Sequence, residues 1–255
     1  MSDLASYPSL KEKVVFVTGG ATGIGASIVE HFAAQGARVA FFDMDAQSAQ
    51  KLVADIAARG HAQATFFPSD LRDVPDFRRN LEEARRKLGD PHVLVNNAAR
   101  DDRHSIESVT PEYWDERIAV NLRHQFFAAQ AVMDGMKRLG GGSIINMGSG
   151  SWRSASGNMP VYLTAKAGVE GLTRALARDL GPFNIRVNCV VPGWVMTQRQ
   201  IKLWLTPEAE VNLMRQQCLK KRLMADDIAR MVLWLAAADS SMATAQAFVV
   251  DAGLH

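Results

Sequence analysis

Seven short runs rich in β-branched and aromatic residues punctuate this chain, and their alternation with helical patterns restricts the fold more than any other feature. The runs are Lys13 to Thr18, Arg38 to Phe42, Ala62 to Pro68, Pro91 to Val95, Ser143 to Gly148, Ile185 to Val190 and Gln246 to Val250. Helical patterns lie between them at Ala26 to Gln35, Ala46 to Ala58, Val74 to Leu88, Glu112 to Leu139, Pro160 to Leu180 and Ala225 to Ala238. Continuous apolar runs suit strands covered on both faces, and the helices supply that cover. The pattern predicts an α/β fold built as one domain over residues 1–255. Its core is a doubly wound, seven-stranded parallel sheet with helices on both faces. The segment 198–221 stands outside the alternation, holds Trp204, Pro207 and many long polar side chains, and reads as a lid over a substrate.

Local signals fix several element ends. Thr110-Pro111-Glu112 caps the long fourth helical pattern, and Gly140-Gly141-Gly142 ends it. Pro160 opens the next helix, while Gly181 offers a left-handed stop and Pro182 forbids continuation.

The first strand-to-helix junction carries chemistry. In Thr18-Gly19-Gly20-Ala21-Thr22-Gly23-Ile24-Gly25, glycines let the backbone turn tightly and approach a pyrophosphate seated on the positive helix end. Gly19, Thr22, Gly23, Ile24 and Gly25 are therefore candidate cofactor contacts. Asp43 closes the second strand, roughly 20 positions beyond the glycines, where a carboxylate binds a ribose 2′-hydroxyl and repels a 2′-phosphate. No Lys or Arg lies between Gly19 and Gly25 to receive such a phosphate, so the expected cofactor is NAD. A strand-end cap is the simpler reading of Asp43. Asp70 and Leu71 follow the third strand, at the carboxyl edge where such sheets bind ligands. Asn97 and Ala99 follow the fourth, in a small-residue cluster that either admits a ribose or only makes a tight turn.

Tyr162 and Lys166 are four apart on one helix, so their side chains share a face. A free phenol has a pKa of about 10 and is a poor base near neutrality, but an ammonium beside it favours the ionised form. Ser149 ends the fifth strand, where its hydroxyl can hydrogen-bond a reacting oxygen. Asn121 sits inside a helix, where an amide is a poor helix former, and reads equally as a satisfied core polar group. Taken alone, Tyr162 and Lys166 also fit an exposed helix face.

Composition narrows the classes of function. A chain of 255 residues with 47% hydrophobic and 22% charged residues supports a sizeable core. The net charge of +2 comes with no basic block, so neither nucleic acid nor a membrane surface is an expected partner. Met1 to Leu10 lacks a basic region followed by an apolar segment, and no run reaches membrane-spanning length. The expected location is the cytoplasm. Two cysteines, Cys189 and Cys218, are too few for a disulfide framework or a zinc site, and no metal is expected.

Jointly these residues resemble the short-chain dehydrogenase/reductase family, whose Rossmann fold the resemblance implies over nearly the whole chain. Thr18-Gly19 with Gly23-Ile24-Gly25 resembles its cofactor loop, and Asn96-Asn97-Ala98 its ribose-side turn, with Ala99 where glycine is usual. Asn121, Ser149, Tyr162 and Lys166 match its catalytic tetrad. The resemblance implies that Tyr162 is the acid/base and Ser149 positions the reacting oxygen. It implies that Lys166 lowers the tyrosine pKa and binds the nicotinamide ribose, and that Asn121 holds a water relaying protons to Lys166. Pro192-Gly193 and Thr197 resemble the family's nicotinamide carboxamide contacts, and Val195 would be a further cofactor contact. Ala245 stands where a glycine is common, a departure expected to touch packing more than chemistry. A homo-oligomer, a tetramer, is also implied, and Ala165, Ala167, Gly168, Gly171 and Ala175 on the Tyr162 helix would permit close helix approach.

A narrower resemblance rests on Tyr7-Pro8-Ser9-Leu10-Lys11, Asp101-Asp102-Arg103-His104, Tyr113-Trp114-Asp115-Glu116-Arg117, Asn121-Leu122-Arg123-His124, Gly148-Ser149 with Ser151-Trp152, and Gln217-Cys218-Leu219-Lys220. These stretches are similar to bacterial NAD-dependent aldose 1-dehydrogenases, which oxidise the anomeric carbon and release a lactone. Trp152 and Trp194 would offer flat apolar faces to a sugar, and Asp101, Ser149, Ser151, Asn158 and Gln200 would offer hydrogen bonds. Each also has a reading as a packing or surface residue. The loop from Ser154 to Met159 and Trp194 depart from the D-xylose type, which the stretches otherwise resemble most, so L-arabinose, D-galactose and L-fucose stand beside D-xylose as candidate sugars. Two other readings stay open: a dehydrogenase or reductase of another alcohol or carbonyl, and a catalytically idle NAD-binding sensor or scaffold.

Overall fold

The computed structural model describes residues 4–254; Met1 to Asp3, part of the stretch read for a leader, and His255 lie outside them. The strands are β1 (Val14–Thr18), β2 (Arg38–Asp43), β3 (Ala64–Pro68), β4 (Val93–Asn96), β5 (Gly142–Met147), β6 (Ile185–Pro192) and β7 (Ala247–Val250). The helices are α1 (Gly23–Ala34), α2 (Ala46–Ala58), α3 (Val74–Leu88), α4 (Pro111–Ile118), α5 (His124–Arg138) and α6 (Pro160–Leu180). They continue with α7 (Gln198–Trp204), α8 (Pro207–Gln216) and α9 (Ala225–Ala236). All seven strands pair parallel in one sheet, in the order β3-β2-β1-β4-β5-β6-β7.

Alternate residues of each strand feed opposite cores. In β1, Val15 and Val17 join Ile28 and Phe32 of α1 and Val232 of α9. Val14 and Phe16 join Phe77 of α3, Val132 of α5 and Ala177 of α6 on the other face. The expected doubly wound Rossmann architecture is present. Strand order reverses at β1, whose neighbours are β2 and β4, and this switch point opens a crevice at the carboxyl ends of the strands. No described helix is long and apolar enough to cross a membrane.

Most element ends fall within a few residues of the sequence reading, but two local readings need correction. The single helix expected from Glu112 to Leu139 is divided by a π turn at Ala119–Arg123. Asn121 explains it: the side-chain Nδ2 donates to the Arg117 carbonyl at 2.9 Å, the acceptor one helical turn back, and Oδ1 accepts from the Arg100 backbone at 2.9 Å. A side chain that competes for the backbone ladder loosens that turn. Gly181 is not a left-handed stop. Its φ is −56°, the chain runs on through a tighter turn at Gly181–Phe183, and Asn184 takes the left-handed position at φ 58°. Pro182 fits the first turn of that segment, where no N–H is needed.

Ala245 packs against the core that holds Phe16 and Phe77, and its departure from glycine touches the backbone as well. Its φ is 60°, a region that costs an L-residue roughly 1–2 kcal/mol. Ala245→Gly is expected to stabilise the fold by about 0.5–1 kcal/mol, part of the relief being offset by glycine's greater unfolded-state entropy. Urea unfolding with an unchanged slope checks this, and a loss of stability would contradict it.

Candidate active site

The carboxyl ends of the central strands open into a cavity of about 830 Å³. Its floor is the glycine turn. A Cβ on Gly19 would stand 2.7 Å from the Ala98 Cα, and one on Gly25 would stand 1.9 Å from the Gly19 carbonyl oxygen, so neither position admits a side chain. Asn97 Nδ2 donates to the Gly19 carbonyl at 2.8 Å, and Thr18 Oγ1 accepts from the Asn97 backbone at 3.0 Å, which stitches the two turns together. Thr22 makes no side-chain bond to α1, and the first N–H groups of that helix are left for an anion. Gly19, Thr22, Ile24, Gly25, Asp43, Asp70, Leu71, Asn97 and Ala99 all line the cavity, as do Pro192, Val195 and Thr197 at its far end. Gly23 does not line it; at φ 57° its α-carbon faces the Thr197 methyl group.

Asp43 serves as the strand-end cap while also lining the cavity. Its Oδ2 accepts from the Ala21 backbone at 2.9 Å and its Oδ1 from the Asp45 backbone at 3.0 Å. A carboxylate has about four lone-pair sites, so acceptor capacity remains for a ribose diol. Asp70 is held by Arg72 at 2.6 Å, and that hydrogen bond keeps its carboxyl below the ordinary range. The bare glycine cradle, the uncapped helix end and the acidic rim together fit a dinucleotide.

Beyond the floor stand Ser149, Tyr162 and Lys166. Ser149 accepts from the Ser151 backbone at 3.2 Å and donates to Ser151 Oγ at 3.0 Å. Burial pushes the Tyr162 phenol up to about 12; the Ser149 hydroxyl and Arg103 oppose that rise and Asp101 adds to it. Lys166 is 1% exposed and donates from Nζ to the Met147 carbonyl at 2.7 Å, and burial lowers it to about 8. In the protein alone, desolvation is the largest influence on both groups. Asn121 is fully buried behind them and does not line the cavity. Its carbonyl accepts from Gln125 Nε2 at 3.2 Å. Neighbouring His124 is held neutral, pushed down to about 3 by burial and then by the Lys166 charge.

The buried lysine predicts a pH dependence of stability. Its folded pKa of about 8 lies below the ordinary 10.5, so across that window the unfolded chain holds the proton and the native state does not. Stability rises with pH there. Tyr162, raised from 10 to about 12, and Cys189, raised from 9 to about 12, act in the opposite sense at higher pH in both proteins. Between pH 8 and 10 wild type is expected to gain on the order of 1–3 kcal/mol relative to Lys166→Met. Denaturant titrations at the two pH values check this, and an equal gain in both proteins would contradict it.

One wall of the cavity is a hydrogen-bonded series. Trp194 Nε1 donates to Gln200 Oε1 at 2.9 Å, and Gln200 Nε2 donates to Asp101 Oδ2 at 2.7 Å, which fixes the amide orientation. Arg199 bridges Asp101 at 3.5 Å and Asp102 at 2.6 Å, tying α7 to the loop after β4. Asp101, Ser149, Ser151, Trp194 and Gln200 meet in the cavity, whereas Trp152 and Asn158 do not. Trp152 donates to Glu170 at 3.3 Å, and Asn158 is exposed at φ 60°. The cavity also takes Arg103, Met159, Arg199, and Ala209, Asn212, Leu213 and Gln216 of α8; Arg199 and the α8 residues lie in the segment read as a lid, though the sequence singles none of them out as a contact. The α8 residues do follow one-face helical spacing, but nothing in the sequence told a cavity-facing face from a core-facing one. Among the described residues no cluster of three His, Cys, Asp or Glu is placed to hold a metal.

Comparison with known proteins agrees with this geometry. A family model described as enoyl-(acyl carrier protein) reductase matches residues 19–255. The probable galactose dehydrogenase GalD of Rhizobium meliloti (strain 1021) is 50% identical over 250 residues, 98% of each chain. The D-xylose 1-dehydrogenase of Caulobacter vibrioides (strain NA1000 / CB15N) is 49% identical over 249 residues, again 98% of each. A short-chain dehydrogenase/reductase of Serratia marcescens, solved as a doubly substituted mutant, is 32% identical with a TM-score of 0.89, over 96% of this chain and 99% of that one. With its glycine cradle, parallel sheet and Ser149, Tyr162 and Lys166 brought to one cavity, this chain belongs to the short-chain dehydrogenase/reductase family.

Proposed function

We propose that this oxidoreductase oxidises an aldose at C1 with NAD and releases the sugar lactone. The observation that carries the reading is the meeting of Ser149, Tyr162 and Lys166 with the wall of Asp101, Gln200 and Trp194 in one cavity. The half-identical galactose and D-xylose dehydrogenases support it. Gly19, Thr22, Ile24, Gly25, Asp43, Asp70, Leu71, Asn97, Ala99, Pro192, Val195 and Thr197 would hold the dinucleotide, and Gly23 would shape its loop. When bound, oxidised nicotinamide supplies a hydride acceptor and a positive charge.

Tyr162 takes the proton of the anomeric hydroxyl while Ser149 hydrogen-bonds the same oxygen, so proton and hydride leave one carbon–oxygen unit in a single geometry. Lys166 would hold the nicotinamide ribose, and the proton taken by Tyr162 would leave past Lys166 toward water near the Asn121 carbonyl. Asn96 Oδ1 and Gln125 Oε1 accept no hydrogen bond within the protein, and buried polar atoms of this kind are ordinarily satisfied by water. Trp194, Ser151 and Asp101 orient the sugar, and 198–221 covers it. The test is an NAD-linked assay over D-galactose, D-xylose, L-arabinose and L-fucose with identification of the product. Lactone formation is expected; turnover confined to other alcohols or carbonyls would refute the reading.

The working form is a homotetramer in the cytoplasm. Ala165 is fully buried within the chain and Gly168 lies against Leu122, but Gly171 faces open space where a second helix can approach. Sedimentation showing only monomer would refute the assembly.

A further inference from the structure

Helix α6 begins without a side-chain cap of its own. Its N-cap residue is Met159, Pro160 has no N–H to satisfy, and the next donor is the Val161 backbone. That donor finds its partner far away in sequence: His104 Nε2 accepts from Val161 N at 3.3 Å. An accepting Nε2 requires the neutral ring with its proton on Nδ1. Nδ1 lies 2.9 Å from the Asp102 carbonyl, which can only accept. It also lies 2.9 Å from the Tyr113 hydroxyl, whose ring packs edge-on at 5.0 Å. The His104 backbone donates to the Asn158 carbonyl at 2.8 Å, and Arg103 Nη1 points at the Met159 sulfur at 3.0 Å. His104 is thus locked between the loop after β4, helix α4 and the first turn of α6, yet it does not line the main cavity.

We propose that His104 is the positioning residue for Tyr162, holding the first turn of α6 through Nε2. The proposal rests on the reading of Tyr162 as the base. Val161 immediately precedes Tyr162, so the bond fixes the start of the turn that carries the phenol, while Ser149 is fixed separately at the end of β5. A displacement of about 1 Å between reacting groups can cost on the order of 100-fold in rate. The ring lies outside the main cavity, so its loss is expected to act on turnover rather than on binding.

Two variants separate the two ring nitrogens. Gln at position 104 keeps an acceptor near the Nε2 position; Asn keeps a donor near Nδ1 and falls short of Val161. His104→Asn is expected to lower kcat about tenfold or more, with sugar KM and NAD dissociation constant changed by less than about twofold. His104→Gln is expected to stay within about threefold of wild type. The ultraviolet titration of the Tyr162 phenol should shift in His104→Asn and hold in His104→Gln. Equal losses in both variants, or an effect on KM instead of kcat, would overturn the proposal. Should His104→Asn fail to fold by circular dichroism, a tenfold kcat loss in folded His104→Gln overturns it alone. Tyr162→Phe keeps the outcomes apart: near-normal turnover there defeats the reading of the base, whereas an inactive Tyr162→Phe with equal His104 variants defeats only this proposal.

Discussion

Tyr162→Phe is expected to lower kcat for aldose oxidation by about 10²- to 10⁴-fold while NAD affinity changes little, because the ring stays and only the base is lost. The electrostatics sharpen this expectation. Burial is the largest influence pushing the phenol up to about 12, with Asp101 adding to it, so in the free protein the protonated form is favoured near neutrality. A positive charge brought close by oxidised cofactor is what favours the phenolate. The oxidation rate should therefore rise with pH through an apparent pKa well below 12, shared by the coupled groups. The phenol can also be followed directly, since the chain has three tyrosines. Ultraviolet difference titration against Tyr162→Phe should show Tyr162 ionising at lower pH when NAD is present. Near-normal turnover of Tyr162→Phe, with unchanged pH dependence, would contradict the mechanism.

The second large effect concerns the choice of dinucleotide. Like charges brought together cost several kcal/mol, so Asp43 should make NAD preferred over NADP by about 10²-fold or more in kcat/KM. Asp43→Ser removes both the diol acceptor and the repulsion, and the preference should fall below about tenfold. The same substitution removes the acceptor for Ala21 and Asp45. A loss of roughly 1–3 kcal/mol in stability is therefore expected alongside. Comparable efficiency of wild type with both cofactors would contradict the role of Asp43.

How much of this was legible depends on where each feature gets its energy. Helices α2, α3 and α6 begin and end where the sequence places them because their starts are local: Asp45 and Asp73 accept from the third residues of their helices, and Pro160 opens α6. The apolar runs are strands because burial on both faces demands it. The glycine cradle was readable because the spacing of its glycines already implies a backbone no side chain tolerates. Features set by distant contacts were not readable. The π turn depends on Asn121 meeting Arg100, 21 residues away in sequence. Trp152 is drawn aside by Glu170, and the phenol's high pKa depends on a burial that no i, i+4 spacing reports.

The central claim, hydride transfer from C1 of an aldose, is tested most directly with sugar carrying deuterium at C1. Wild-type protein, NAD and the [1-²H]aldose should give reduced cofactor carrying one deuterium and a lactone carrying none, with mass spectrometry reading both. Unlabelled reduced cofactor together with a product that keeps its deuterium would mean that another carbon is oxidised, and would contradict the account.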